Sequence, residues 1–438
     1  MFILQREILN DNMILRFTTA NHLSFRDKVD LIFHAGGIKE LSDANVYELK
    51  SGGHEFKLLK SLGIFGENAS GKSNLIKSFA FMKSFILNSG NQSLNKNIIP
   101  VHPFRLNTTS DTNASHFEII IYSDGKFYRY GFDVSPTSVE KEWLFQAEKK
   151  KEELLFLRVK DEYKIEKRFR EEAQGDVLTK ITKSNTLFLS VLAQFNSSVA
   201  KSIVSWFNNT EVIFDFDTVT ISKKLRELLH HDLFKHQLNI ILASFPFGFT
   251  TIEEELKSVA TEKTSEGFLK NIMYDEDVKN FAIKTKHKKF DENNKHIGYE
   301  YFDLATNESA GTVRFLGLLN PILTSLHEKK LIWIDEIDAH LHPNIVVMLI
   351  KLFNSVSNNP NGAQLVFTSQ NTKPLQKGFR RDQMILMEKD AFGVSHSASL
   401  YLRKPDVRND ASFEKDYLDS KYVRVPNLNR QLNLFDSV

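Results

Sequence analysis

The sequence predicts an α/β fold with an antiparallel β lobe and an inserted helical subdomain, and without a long coiled coil. Three observations predict it. The apolar residues Leu58, Leu59, Leu62, Ile64 and Phe65 are suited to a buried strand; a glycine-rich turn follows, and then Leu75, Ile76, Phe79, Met82 and Ile86 recur at helical spacing. A second apolar run, Leu331 to Ile334, ends in consecutive carboxylates. Between the two lie hairpin patterns and a helical stretch without sustained heptads.

From Ile14 to Phe33 apolar and polar residues alternate, which predicts paired strands before the Gly36-Gly37 break. Residues 88–115 are rich in Asn, Ser and Thr and read as loop. The segment SHFEIIIYSDGKFYRYGFDV gives two strands joined at Ser123-Asp124-Gly125. Residues 146–169 read as strands around a basic turn at Lys149 to Lys151. From about 185 to 280 the pattern is helical, through TLFLSVLAQF, AKSIVSWF, SKKLRELLHHDLFKHQLNIIL and TIEEELKSVA. FAIKTKHKKF and HIGYEYFDL then form a hairpin around Asp291 to Asn294. Its first strand carries Lys284, Lys286, Lys288 and Lys289, which reads as a solvated edge strand or as a contact to a phosphate backbone. The expected divisions are 1–180, 181–280 and 281–438.

Composition removes several function classes. The 57 basic and 55 acidic residues balance to +2, so bulk charge gives no argument for nucleic-acid binding. Cysteine is absent, which excludes disulfides, zinc-thiolate sites and cysteine nucleophiles. No apolar run reaches the ~18 residues of a membrane span. Arg6, Glu7, Asn10 and Asp11 interrupt the N-terminal apolar residues before a signal-peptide core forms. The expectation is a soluble cytoplasmic protein without a membrane partner.

The chemistry-bearing residues begin with Gly66-Glu67-Asn68-Ala69-Ser70-Gly71-Lys72-Ser73, which fits G-x-x-x-x-G-K-[ST] between a strand and a helix. Backbone amides and the helix N-terminus of such a loop cradle phosphate oxygens; Lys72 neutralises the outer phosphates, Ser73 holds Mg²⁺, and Asn74 follows in the first helical turn. In KKLIWIDEID, Asp335 stands where it would hold Mg²⁺ through its water shell, and Glu336 where it would polarise the attacking water. Ser309-Ala310-Gly311-Thr312 opens an amphipathic helix with free amides and a hydroxyl for a phosphate. His340 and His342 have metal-like spacing without a third ligand, and Asp215-Phe216-Asp217 reads as a turn.

The order GENASGKS, ESAGT, IDEIDAHLHP, QLVFTSQN resembles the ABC-type ATPases of the structural-maintenance, Rad-fifty and OLD branch. It is most similar to their stand-alone, AAA-type prokaryotic relatives linked to abortive infection, the RloA-like proteins and the ATPase subunits of PARIS- and Septu-like systems. PFRL at 103–106, FYRYGFDV at 127–134, RRDQMILMEKD at 380–390 and the ending DVRNDASFEKDYLDSKYVRVP extend the likeness over nearly the full length.

The resemblance implies a head-to-head homodimer or higher homo-oligomer, with ATP and Mg²⁺ as cofactors. ATP bound by Lys72 and Ser73 of one subunit would be closed over by Ser309, Gly311 and Thr312 of the other, and Asp338 would touch the partner. It also implies a separately encoded toxin or nuclease effector and a DNA or phage-protein trigger. The chain after the strand near Met387 is too short for a nuclease domain of about 150 residues, so no nuclease activity is expected here. One position departs from the family pattern: Ser369-Gln370 stands where a Thr-His pair is usual. Gln370 donates an amide hydrogen bond but carries no charge, which predicts ATP binding with slow hydrolysis. A DNA-clamping repair ATPase and a nucleotide-gated binding module are the alternatives.

Overall fold

The computed structural model describes residues 12–91, 98–147, 151–174, 176–215, 218–245, 247–256, 281–371, 378–402, 413–419 and 421–422. Lys149, Phe216, Asp217, the last four residues of TIEEELKSVA and parts of the N- and C-terminal segments quoted above lie outside them. The chain forms two compact units, one of residues 1–212, 326–337 and 346–438, the other of 213–325 and 338–345.

The first unit is built on two large sheets. The antiparallel one contains β1 (Met13–Ala20), β2 (Val29–Ile32), β6 (Ser115–Ser123), β7 (Lys126–Val134), β8 (Val139–Ala147), β9 (Glu153–Val159) and β10 (Glu162–Ile165), in the order β10-β9-β8-β7-β6-β1-β2. The hairpin read at Ser123 to Gly125 is present: Ser123 pairs with Lys126, and Asp124 (φ 50°) and Gly125 (φ 79°) take the two left-handed positions of a tight turn. The mixed sheet contains β5 (Ser61–Gly66), β11 (Glu211–Ile213), β15 (Leu331–Ile334), β16 (Gln364–Ser369), β17 (Met384–Lys389) and β18 (Ser395–Ser399), in the order β11-β15-β16-β5-β17-β18. A two-stranded ribbon, β3 (Val46–Ser51) with β4 (His54–Leu59), completes the unit.

The apolar run before the glycine-rich turn is not one strand. Leu58 and Leu59 belong to β4, and Leu62 to Phe65 belong to β5, with Lys60 at the break. Lys60 is buried, its amide donates to Asn45 O at 2.9 Å, and desolvation lowers its pKa. The helix Lys72–Asn88 matches expectation, with Leu75, Ile76, Phe79, Met82 and Ile86 all buried. Phe79 stacks on Trp333 of β15 with ring centroids 4.2 Å apart, and both meet Phe17 of β1 edge-on, at 5.5 and 5.9 Å. Such contacts add about 0.5–1.5 kcal/mol each beyond area burial, and they lock the helix between the sheets.

The division expected at 181–280 falls elsewhere. Helices Phe188–Gln194 and Ser198–Asn208 place Phe188, Leu192, Ile203, Trp206 and Phe207 in the core of the first unit. The reason is an interior anchor: buried Glu142 of β8 accepts from Phe188 N at 2.8 Å and Leu189 N at 2.9 Å, and also from Tyr130 Oη at 2.9 Å. The fully buried Arg158 of β9 lies 3.7 Å from the same carboxylate and donates to Thr186 O at 2.6 Å.

The second unit holds helices Thr218–His230 and Asp232–Ala243 and a three-stranded sheet of β12 (Phe249–Leu256), β13 (Phe281–Phe290) and β14 (His296–Asp303), ordered β12-β13-β14. The segment TIEEEL, expected to be helical, is strand β12. Its glutamates suit a helix in isolation, but across the sheet Glu253 meets Lys286 at 3.2 Å and Glu255 meets Lys284 at 3.3 Å, while Glu254 meets Arg226 at 2.9 Å. The basic strand β13 is accordingly the central strand and not an edge. The hairpin around Asp291 to Asn294 is present, with Asp291 Oδ1 accepting from Asn293 N and Lys295 N. Among the described residues no helix is long and apolar enough to cross a membrane.

Candidate nucleotide site

Strands β15, β16, β5 and β17 run parallel, so their C-terminal ends share one edge. In parallel α/β sheets that edge is where ligands bind. The glycine-rich turn leaves it at Gly66. A Cβ at Gly66 would lie 2.7 Å from Ser70 Oγ and collide with Met387 O, so the close pairing of β5 with β17 requires glycine. Ala69 (φ 64°) and Gly71 (φ 108°) are left-handed, and the helix begins at Lys72. Asn68 and Ala69 are exposed, Glu67, Ser73 and Asn74 are half-buried, and Ser70 and Lys72 are buried. Lys72 Nζ donates to Gly66 O at 2.7 Å and Glu67 O at 2.8 Å.

The carboxylate pair ends β15 at the same edge. Ser73 Oγ donates to Asp335 Oδ1 at 3.1 Å, and Thr368 Oγ1 of β16 donates to the same oxygen at 2.5 Å. Glu336 N donates back to Thr368 Oγ1 at 2.7 Å. Asp335 is buried, whereas Glu336 is exposed and left-handed at φ 48°. That conformation costs a non-glycine residue of order 1 kcal/mol or more and is concentrated at functional sites. Gln370, exposed, follows Ser369, which pairs with Phe65 beside the phosphate loop. Lys72, Ser73, Asp335, Glu336 and Gln370 therefore converge on one edge.

Ser309, Gly311, Thr312 and Asp338 belong to the second unit. Ser309 caps the helix Ala310–Glu328: its Oγ accepts from Thr312 N at 3.1 Å and bonds Thr312 Oγ1 at 2.9 Å. A Cβ on Gly311 would approach His340 O to 2.5 Å. His342 also acts as a cap, its Nδ1 accepting from Asn344 N at 3.2 Å. Asp215 Oδ1 accepts from Arg314 at 2.9 Å.

Sequence reasoning missed three residues of the first unit. Thr368 was read as part of a motif, yet its hydroxyl joins Asp335 to Glu336. Ser24 and Ser395 brace the loop from behind: Ser395 Oγ donates to Ser24 Oγ at 2.8 Å, and Asn74 Nδ2 donates to Ser24 Oγ at 2.8 Å. A Cβ on Gly71 would collide with Ser395 and come within 3.0 Å of Ser24 Oγ. Ser24 lies between β1 and β2 and Ser395 opens β18, so the alternation of the strands gives no sign of their contact, which joins positions some 370 residues apart in the chain.

Residues 61–373 match the family model described as "AAA domain, putative AbiEii toxin, Type IV TA system". The match begins at the first residue of β5 and ends just beyond Gln370. The chain belongs to this AAA domain family. None of the curated proteins searched matches it. Membership identifies a P-loop ATPase-like domain, and such AAA domains bind nucleotide, typically with Mg²⁺. The residues present fit that chemistry. Ser73 Oγ and the Asp335 carboxylate offer adjacent oxygen ligands to a hard cation. The buried Ser70 Oγ has no hydrogen-bond partner among the described residues, so a phosphate oxygen would satisfy it. Ser73 and Asp335 would hold the metal, directly or through water, which neutralises phosphate charge when bound.

Proposed function

We propose that this AAA domain protein binds and slowly hydrolyses ATP, dimerises through composite ATP sites, and controls a separately encoded toxin or nuclease in prokaryotic abortive-infection defence. The observation that carries the ATPase part is the junction of Ser73, Asp335, Thr368 and Glu336 at the edge where the phosphate loop begins. Lys72 holds phosphate, and Thr368 fixes Asp335 while presenting the amide of Glu336. Glu336, exposed beside this junction, orients the attacking water and takes its proton. Ser309, Gly311 and Thr312 supply the helix N-terminus that closes over nucleotide on the partner subunit. The family description's AbiEii wording and the likeness to defence ATPases support the biological setting.

Glu336→Gln tests the chemistry. It should abolish phosphate release and accumulate ATP-bound dimers in light scattering after size exclusion; unchanged turnover would sink the hydrolytic reading. The composite site is tested by mixing Lys72→Ala chains with Gly311→Asp chains. Each is inactive alone, and the mixture regenerates one competent site per mixed dimer. Failure of phage restriction to depend on Lys72 when the neighbouring gene is co-expressed would remove the defence role. A second reading, a nucleotide switch with little turnover, is favoured by Gln370, which stands uncharged at the γ-phosphate end of β16. A DNA clamp has less support, because Lys284, Lys286 and Lys289 of β13 are already paired with carboxylates.

A further inference from the structure

The segment Pro103-Phe104-Arg105-Leu106 has no part in the phosphate loop or the carboxylate pair. In the structure it walls a cavity of about 340 Å³ that Ser24 and Asn74 also line. Small-molecule sites fall in that size range, ~300–1,000 Å³. All the lining residues belong to the first unit. The wall is pinned in place without any ligand. Leu23 N donates to His102 O at 2.8 Å, and the buried Asn21 side chain accepts from Phe104 N at 3.2 Å while donating to Ser110 O at 2.8 Å and Asn113 O at 2.9 Å. Asn21 (φ 48°) and Leu23 (φ 53°) are both left-handed. That conformation is costly for leucine and persists where surrounding bonds hold it.

The cavity's place relative to the phosphate loop indicates its ligand. Asn74 follows Ser73 on the helix Lys72–Asn88, so it is turned about 100° around the axis from the residue that meets Asp335. Its Nδ2 donates to Ser24 Oγ at 2.8 Å, and a Cβ on Gly71 would stand 3.0 Å from the same oxygen. The cavity therefore begins within the first helical turn, beside amides suited to phosphate and on a flank turned away from the junction of Ser73 with Asp335. We propose that this cavity takes the nucleoside part of the nucleotide. With the outer phosphates at Lys72 and Ser73, the ribose and base pass across Asn74 into the space lined by Leu23 and Leu106. This rests on the nucleotide-binding reading above and adds to it the place of the molecule's other half.

The lining has the chemistry of such a ligand. Leu23, Pro103, Phe104 and Leu106 offer apolar surface to the face of a base, and Leu106, 71% exposed, stands open to an incoming ring. Around them His102, Arg105 and Lys389 are exposed, and their side chains make no hydrogen bond or ion pair among the described residues. Arginine and lysine only donate, which suits ring nitrogens, carbonyl oxygens and ribose hydroxyls as acceptors. Their charge also favours an anionic ligand. Lys284, Lys286 and Lys289 of β13, by contrast, already face carboxylates.

Isothermal titration calorimetry with Mg²⁺-ATP and with Mg²⁺-tripolyphosphate separates the two halves of the site. The parent chain should bind ATP about tenfold tighter than tripolyphosphate, or better. The double variant Arg105→Gln, Leu106→Asn changes two exposed residues and leaves the core untouched. It should weaken ATP about tenfold and leave tripolyphosphate within about twofold. Lys72→Ala should weaken both ligands. In a second measurement, the indole introduced by Leu106→Trp should be quenched by ATP and not by tripolyphosphate. A parent chain that binds the two ligands equally, a double variant that keeps its ATP affinity or loses both ligands alike, or an indole that ATP leaves unquenched would each overturn the nucleoside cavity. If the parent binds neither ligand, the phosphate site fails with it.

Discussion

Replacing Thr368 by valine keeps the shape of the side chain and removes only its hydroxyl. Thr368 is fully buried, donates to Asp335 Oδ1 at 2.5 Å and accepts from Glu336 N at 2.7 Å. The first bond ends on a carboxylate and contributes about 1.5–3 kcal/mol; the second, at a half-buried amide, contributes about 1 kcal/mol. The added methyl returns up to about 0.8 kcal/mol of apolar burial. The net loss is about 2–3 kcal/mol, which at about 2–4 °C per kcal/mol lowers the melting temperature by roughly 5–10 °C. Thr368→Ser is the control, since it keeps both bonds and loses one methyl, about 0.8 kcal/mol. Differential scanning calorimetry measures the stability and phosphate release measures turnover, which should fall at least tenfold for valine and little for serine. Valine and serine variants alike in both measurements would show that the hydroxyl does not organise the carboxylate pair.

Gly311→Ala should displace the N-terminus of the helix Ala310–Glu328 from His340 O, reducing ATP-dependent dimerisation while nucleotide affinity, read by a fluorescent ATP analogue, stays within about twofold. Ser73→Ala should weaken Mg²⁺-ATP binding tenfold or more, with a smaller effect on ATP measured in EDTA. Gln370→His should raise the ATP turnover number several-fold, measured by phosphate release. His22 is buried against Phe81 and Phe117, bonds Ser78 Oγ at 2.8 Å, and has its pKa lowered to about 3, first by burial and then by His102. Its folded pKa lies below the unfolded value near 6.5, so its contribution is intact above pH 6.5. It declines by about 1.4 kcal/mol per pH unit as pH falls toward 3. His22→Phe should therefore flatten the stability profile over that window in denaturant titrations.

The strand, glycine-rich turn and helix from Leu62 to Ile86 were legible because each rests on local chemistry: apolar period, left-handed turn positions and helix spacing. So were the carboxylate pair at Asp335 and Glu336 and the turn at Asp124-Gly125. What failed to show depended on partners distant in sequence. The TIEEEL segment is strand because Lys284, Lys286 and Arg226 neutralise its glutamates, and no reading of residues 251–256 alone contains those lysines. The helix at 188–194 joins the first unit because Glu142, more than forty residues earlier, accepts from the amides of Phe188 and Leu189. Thr368, Ser24 and Ser395 were invisible as site residues because an ordinary hydroxyl becomes significant only through what it touches.

Gln364 begins β16 at the end opposite Thr368. Its side chain accepts from Ile14 N at 2.8 Å and donates to Ile14 O at 3.2 Å and Leu59 O at 3.1 Å, tying β1, β4 and β16 together in the interior. The strand is thus held at its start by this clamp and along its length by β15 and β5, with Thr368 and Ser369 at its other end. Gln364 adds a polar link between β16 and β1 to the apolar contact of Phe17 with Trp333, and Gln364→Leu should remove these three hydrogen bonds and lower stability in denaturant titrations while leaving Lys72, Ser73, Asp335 and Glu336 in place.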